Sequence, residues 1–503
     1  MNYKDNHIIK FGIFKPLSVY SNGEIHTGLD LFYDHPEAPQ FSKSTGEVDY
    51  RLKEFEVEHK IKFPISDKKY NELFGDDTRL WTKLPDYHFH HPVLPPRGVE
   101  KRDYKEYIKK GERFILNVLI DDWRFFEEDN KPNKIRSLKD FHIPEDMLNA
   151  LHSNKCTLLF DQIREGHYHH STCVEFMQSF AEKFKLNATN LMLFSGNSNA
   201  EALSYTYASS KGIKLLFTPV NTYHFEDTFW FTKNSDKYHS NQRNAHYTYF
   251  NNMLQYKLEK EPEKHFLCLN RRLDVHRMAM FSEFKINKTL KDKGLISLGN
   301  CYDVSDNEIQ YWIKNVFDTT HNYEDRKVFF EQYDFSKNYV LDKEDFYENF
   351  ATSLPTDLHK RTFAPVVTET LKGNNEIFFS EKTYRPIYCA QPFFILGNRG
   401  QIGRLRELGY KTFGKWWDES YDEQPTWQTR FTALSKTLEE VAHLTPSDLH
   451  TIQKEMEETL IHNFNLLMSK TRYRRVMGIL SDCTRPTETR IIPSKTRIIK
   501  KLI

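Results

Sequence analysis

Apolar positions in this chain fall into short runs of strand length, and the runs alternate with stretches of helical spacing. Phe114–Ile120 (FILNVLI), Thr157–Phe160, Leu191–Phe194 and Ile213–Phe217 are four such runs. Thr172–Phe184 and Ala200–Ala208, lying among them, have the spacing of amphipathic helices. This alternation predicts a first open, mostly parallel α/β sheet. A polar, aromatic stretch from about Thr228 ends in the charged LEKEPEK, and a second series starts at His265–Asn270 (HFLCLN). It continues through a helix after Asp274, a run at Leu295–Leu298 and helical material at Asp306–Phe317. Strands at Ala364–Val367 and Phe393–Leu396 follow, with a helix opening at Ser380 between them, because Ser380 is a good N-cap. Pro386 lies too far in for a first-turn proline and is expected to kink that helix or delay its start. The acidic, aromatic segment Tyr323–His359 reads as a connection or decoration. Pro446-Ser447-Asp448 starts an amphipathic pattern that runs through Leu466.

These changes of texture divide the chain at residues 1–105, 106–258, 259–430 and 431–503. The first segment is polar and aromatic, without helical period, and the last ends in a basic tail with apolar pairs (TRIIPSKTRIIKKLI) that reads as a frayed terminus.

Composition narrows the class. At 503 residues with 39% hydrophobic and 15% aromatic content, the chain builds more than one real core. Lys and Arg number 71 against 70 Asp and Glu, a balance that argues against a large basic face for nucleic acid while leaving room for a local patch. Cys156, Cys173, Cys268, Cys301, Cys389 and Cys483 form no CxxC pair, so they read as thiols, several of them buried, of a reducing, cytoplasmic compartment. No apolar run is long enough to cross a membrane. His88, His90 and His91 have no metal-ligand spacing and read as a loop, and Asp121-Asp122 is not a DxD metal pair.

Charge placement supplies the chemistry. Lys382 and Arg385 fall in the first two turns after Ser380, where a cation is disfavoured by roughly 0.3–1 kcal/mol. An anion held between them and the free N–H groups of that turn explains the placement. A solvated basic patch or a Glu381–Arg385 pair is the plainer alternative. Arg271, Arg272 and Arg277 stand at a second strand-to-helix junction. Two basic junctions at carboxyl ends of strands describe a crevice for a phosphate-bearing ligand. Neither has GxGxxG or GxxxxGK[ST], which argues against a nicotinamide dehydrogenase or a P-loop ATPase. In the first half, Asp161, Glu165 and His167 follow an apolar strand and are candidate general bases, or else a helix cap and Arg partners. Asp418 and Glu419, beside Trp416 and Trp417, suit sugar hydroxyls, or simply cap and seal the following helix. No acidic spacing specifies a metal.

With these residues in view, the chain resembles a glycosyltransferase of the two-Rossmann (GT-B) type. Its second half looks like the fucosyltransferase-like donor domain of phage and giant-virus glycosyltransferases. The matching pieces are FLCLNRRLDVHR, VVTET, FFSEKTYRPI, QPFFILGN and LRELGYKTFGKWWDESYD, covering roughly Phe266–Asp422. The first half matches weakly, through FDQIREG. The resemblance implies two Rossmann-like domains facing across a cleft. Around that match, residues 1–105 read as an extension packed on the first domain, 106–258 as the acceptor side, 259–430 as the donor domain and 431–503 as C-terminal helices and tail, the first segment and the tail having no counterpart in the family. It assigns phosphate to Arg272 or Arg277 and Lys382, ribose to Glu381, the donor sugar to Glu369, and the base to Asp161 or Glu165. Ser380 stands where the motif usually has Thr, and Glu369-Thr370 replaces an acidic-Asn pair, which leaves the donor sugar open. The implied donor is a nucleotide-diphosphate sugar, with no further cofactor and no metal. Among phage proteins of this look, glucose or arabinose is placed on 5-hydroxymethylcytosine, so double-stranded DNA in a host cytoplasm is the leading acceptor. A surface glycan, lipopolysaccharide or glycoprotein is the runner-up, and a non-catalytic nucleotide- or glycan-binding protein is the third reading.

Overall fold

The computed structural model describes residues 9–13, 20–21, 24–25, 99–119, 127–128, 131–135, 138, 143–163, 166, 170–223, 226, 241–299, 304–335, 339, 341, 355–374, 376–469 and 471–485. The chain is α/β and divides into two compact units. Glu165, His167, Cys301, Asp121-Asp122, the His88–His91 loop and the basic tail lie outside the described residues.

In the first unit, β1 (Ile9–Ile13), the two-residue hairpin strands β2 (Tyr20–Ser21) and β3 (Glu24–Ile25), and β4 (Val99–Asp103) precede α1 (Tyr104–Lys110) and β5 (Phe114–Leu119). A small ribbon of β6 (Glu127–Glu128) and β7 (Lys131–Ile135) follows. Then come α2 (Glu145–His152), β8 (Cys156–Gln162), α3 (His170–Lys183), β9 (Leu191–Ser195), α4 (Ala200–Ser210) and β10 (Thr218–Asn221). Six of these strands form one parallel sheet in the order β10-β9-β8-β5-β1-β4. Alternate residues of the central strands go to opposite faces, as a doubly covered sheet requires. Leu116, Leu158, Phe160 and Leu193 join one core with α3, while Ile115, Leu159, Met192 and Phe194 join another.

The run Ile213–Phe217 is not a strand. Leu215 and Phe217 bury as loop residues, and pairing starts only at Thr218. Pro219 is accepted in β10 because that strand is the edge of the sheet.

The second unit begins at Tyr223, with Asn197–Asn199 added, so the division falls before the expected boundary near residue 258. Its helix α5 (Asn241–Glu259) packs Phe250, Met253 and Leu254 into the second core, which is why that segment leaves the first unit. The order continues with β11 (Lys264–Cys268), α6 (Val275–Ile286), β12 (Gly294–Ile296), α7 (Asp306–Asn315), α8 (Tyr323–Glu331), α9 (Thr356–Arg361) and β13 (Thr362–Thr368). It ends with α10 (Glu381–Tyr388), β14 (Phe394–Leu396), α11 (Gln401–Glu407), α12 (Trp427–Ala442), α13 (Pro446–Glu455) and α14 (Glu457–Leu467). The four strands form a parallel sheet, β12-β11-β13-β14. Pro365 sits in an inner strand, but it precedes the first β13–β14 pair, Val366 with Phe394. The 446–466 pattern is two helices, Thr445 capping the first and Met456 serving as the break. The segment from Tyr323 is no decoration either: Phe330 is buried in the second core with Phe329, Tyr333 and Phe335 packed around it.

The last helix, α15 (Thr471–Thr484), belongs to the first unit, apart from the other C-terminal helices. Its Val476, Leu480 and Cys483 cover the sheet face of Ile115, Leu159 and Met192. Cys156, Cys173, Cys268, Cys389 and Cys483 are buried thiols. Among the described residues, no helix is long and apolar enough to cross a membrane.

One buried charge matters for pH. Lys257 of α5 is buried, and its Nζ donates to the carbonyls of His359, at 2.6 Å, and Thr362. Burial pushes its ammonium down to about 7. The unfolded chain keeps that proton up to its ordinary 10.5, so the stability cost is full below pH 7 and relieved as pH rises between the two values. Gln391 Nε2 donates to the same two carbonyls, at 3.1 and 2.7 Å, so a methionine at 257 leaves neither orphaned. Lys257→Met is expected to stabilise the fold at neutral pH. The wild-type deficit should shrink by about 1.4 kcal/mol per pH unit above neutrality. Urea unfolding of both proteins across that window checks it.

Candidate active site at the carboxyl edge of the second sheet

Counted in chain order within its unit, the second sheet runs 2-1-3-4, so successive connections leave β11 in opposite directions. The gap between the carboxyl ends of β11 and β13 is therefore a topological switch point, where open α/β sheets bind ligands. Three side chains tie the edge together. The Asn270 N–H donates to Ser297 Oγ at 3.0 Å, its Nδ2 donates to the Ser297 carbonyl at 3.3 Å, and its Oδ1 accepts from Thr368 Oγ1. The ends of β11, β12 and β13 are thereby fixed to one another. Gly299 lets the chain pass the Arg271 carbonyl, since a Cβ there would stand only 2.8 Å from that oxygen.

Beyond Asn270 the chain turns into α6. Asp274 is the N-cap, with extended backbone and no side-chain capping bond. Its carboxylate instead meets Lys372 Nζ at 2.6 Å and stands 3.3 Å from His276 Nδ1. Burial alone would raise the Asp274 carboxyl, but His276 and Lys372 hold it well below the usual range. Arg277, in the first turn, lies across the switch point. Its Nη1 donates to the Arg272 carbonyl at 3.3 Å and its Nη2 to the Glu369 carbonyl at 3.4 Å, while its buried Nε has no partner. Arg272 is exposed and Arg271 half-buried beside it.

Glu369 follows β13 and is fully buried. One carboxylate oxygen accepts from the Ser380 N–H at 3.0 Å and Thr383 Oγ1 at 2.5 Å, the other from the Thr370 N–H at 3.0 Å. It is a clamp that locks the start of α10 onto the end of β13. Gly397 permits this packing, because a Cβ there would meet Glu369 Cβ at 2.8 Å.

Helix α10 opens as the sequence indicates. Ser380 is its N-cap and accepts from the Lys382 N–H at 3.3 Å. Lys382 Nζ reaches Ser380 Oγ at 3.2 Å, Thr370 Oγ1 at 3.5 Å and Glu381 Oε1 at 3.1 Å. The Glu381 carboxyl is buried, which opposes its charge, yet Lys382 and Arg385 hold it below its ordinary value. Pro386 does not delay the start of this helix; it lies inside α10, two residues from the end, and Cys389 is the C-cap.

The structure thus brings Arg271, Arg272, Arg277, Glu369, Glu381 and Lys382 to one edge, with Arg385 a turn further along α10. Asp418 and Glu419 serve elsewhere. Asp418 accepts from the Ser420 N–H at 2.8 Å and Oγ at 2.6 Å. Glu419 accepts from the Phe413 N–H at 2.7 Å, Thr412 Oγ1 at 2.8 Å and Arg406 Nη2 at 2.5 Å. Both line, with Trp417 and Asp422, a cavity of about 270 Å³ in the bend between α11 and α12, and α12 itself is capped by Thr426. In the first unit Asp161 is buried at the end of β8, accepting from Asn117 Nδ2 at 3.2 Å and the Ile163 N–H at 3.3 Å. Among the described residues, no group of three or more His, Cys, Asp and Glu is arranged to hold a metal.

No family profile matches the chain, and no curated protein matches it in sequence. Sequence reasoning passed over Lys372 and His276. Lys372 looked like one more charge in a polar loop, and only its pairing with Asp274 across 98 residues places it at the site.

Proposed function

We propose that this chain is a nucleotide-sugar-dependent glycosyltransferase whose second unit binds the donor diphosphate at the switch point between β11 and β13. The observation that carries the reading is the convergence there of two helix N-termini with Arg277, Lys382, Lys372 and the exposed Arg272. Arg277 and Lys382 stand in the first turns of helices, where a cation is disfavoured unless an anion offsets it. Arg272, Arg277 and Lys382 hold phosphate, and Glu381, at the start of α10, takes the ribose. The leaving diphosphate gains charge as the sugar departs, and these cations stabilise it. A carboxylate of the first unit, Asp161 or Glu165, deprotonates the acceptor hydroxyl in a single displacement. The acceptor proposed is 5-hydroxymethylcytosine in DNA, with arabinose or glucose transferred. The charge balance of 71 to 70 favours the alternative, a surface glycan, lipopolysaccharide or glycoprotein acceptor.

Two variants test the site. Lys382→Ala is expected to weaken nucleotide-sugar binding about tenfold and to lower the rate with it. Glu165→Ala is expected to leave donor binding intact and lower the rate about 10²-fold or more. Normal turnover by both refutes the assignment. Mass spectrometry of hydroxymethylcytosine DNA incubated with the protein and a panel of nucleotide sugars tests the acceptor. No added pentose or hexose mass rules DNA out.

A further inference from the structure

His276 occupies the second position of α6 and is fully buried. Both of its ring nitrogens face acceptors. Nε2 lies 2.7 Å from the Glu369 carbonyl oxygen, and Nδ1 stands 3.3 Å from Asp274 Oδ1, off the line of a hydrogen bond. A neutral imidazole has one N–H to give. Donated to Glu369, it leaves a lone pair beside a carboxylate, whereas an imidazolium sets a positive charge against that carboxylate.

Burial keeps the proton off, and neighbouring cations help. Lys372 Nζ is 2.6 Å from the same Asp274 oxygen, and Arg277 Nη2 donates to the same Glu369 carbonyl. Burial, with Lys372 and Arg277 acting in the same direction and Asp274 opposing, lowers the ring to about 4. The charged groups around this cluster are Asp274 and Arg277 of α6, Arg272 before it, Lys372 and Glu369 after β13, and Glu381 and Lys382 of α10. The Glu369 carboxylate is committed to Ser380, Thr383 and Thr370 and does not compete for the ring.

We propose that His276 takes up a proton when a diphosphate occupies the switch-point crevice, so that donor binding is linked to protonation of a buried histidine. The inference rests on the crevice being a diphosphate site. A diphosphate neutralises Arg277, Lys372 and Lys382, which otherwise repel the proton. A unit charge about 6 Å away moves the pKa of a partly buried group by roughly two. That carries the ring from acid pH into the mildly acidic range, with Glu369 already bonded to one ring nitrogen and the Asp274 carboxylate 3.3 Å from the other. Proton uptake then makes binding tighten as pH falls, by up to about tenfold per pH unit, within the window between the free and bound values.

Isothermal titration calorimetry of the full chain tests this. UDP-glucose, GDP-mannose and sulfate are suitable probes, because none has a group that titrates between about pH 4 and 8. The expected result at about pH 5.5 is a binding heat that varies with the ionisation enthalpy of the buffer. Its slope should correspond to uptake of about half to one proton, vanishing by about pH 7.5. His276→Gln keeps a donor for Glu369 and is expected to bind the same probe without proton uptake. Binding with no buffer dependence in the wild type overturns the inference alone, as does His276→Gln that still takes up the proton. No binding of any probe overturns the diphosphate reading and this inference with it. If His276→Gln fails to fold, the wild-type buffer and pH series decides the question.

Discussion

Replacing Arg277 by alanine is expected to weaken nucleotide-sugar binding about 10- to 100-fold, the loss of one charge-assisted contact of about 1.5–3 kcal/mol. Arg277 is the cation the fold places in the switch point itself, reaching from the first turn of α6 to the carbonyl that follows β13. Its two bonds there are long, at 3.3 and 3.4 Å, and its Nε is buried without a partner. The group has bonding capacity to spare, and an anion in the crevice would use it. Lysine at 277 restores the charge but not the planar fork, so Arg277→Lys should recover only part of the affinity. Calorimetric titration of wild type, Arg277→Ala and Arg277→Lys with one nucleotide sugar checks the ranking. Equal affinities would remove Arg277 from the site.

The largest stability effect is expected at Arg326. This guanidinium is fully buried between α6 and α12. It donates to Glu283 Oε2 at 2.6 Å, Ser282 Oγ at 2.8 Å, the His321 carbonyl at 2.6 Å and Thr320 Oγ1 at 3.2 Å, and lies 4.9 Å from the centre of the Phe431 ring. Arg326→Met leaves Glu283 charged and buried without its main counter-ion, which costs about 3–5 kcal/mol. His321 and Asn287 still touch the other Glu283 oxygen, at 3.1 and 2.7 Å, and keep the loss from going further. Changing both partners, Glu283→Leu with Arg326→Met, should restore most of the stability, because the penalty belongs to the unpaired charge. Denaturant midpoints of the two single variants and the double variant test this. Additive losses would show that the pair is not coupled. Because Glu283 is on the same helix as His276 and Arg277, the pin also fixes the orientation of the proposed site.

Much of the fold was legible in the residues. The apolar runs at Phe114, Thr157, Leu191, His265, Ala364 and Phe393 each became a strand, within a few residues, because a strand buried on both faces must be apolar along its length. Ser380 was legible as a cap, since capping depends on a hydroxyl and an N–H two or three positions away. Ile213–Phe217 was not legible. It is as apolar as a strand, but only Leu215 and Phe217 are buried, Ile213 is exposed, and the edge position is taken by Thr218–Asn221. The internal partners of the acids near Trp417 were visible only in the geometry. Glu419 has three internal donors, and nothing in WWDES announces them.

The sequence by itself determined the alternation of strands and helices and the presence of cations at two strand-to-helix junctions. Those features depend on periodicity and on neighbours within a turn. Tertiary structure alone decided that the two junctions meet. Only the 2-1-3-4 strand order sets the ends of β11 and β13 side by side, putting Arg277 against Glu369 across 92 residues and His276 between Asp274 and Glu369. It alone also sent α15 back to cover the first sheet, since an apolar stripe on a helix does not say which exposed face will bury it.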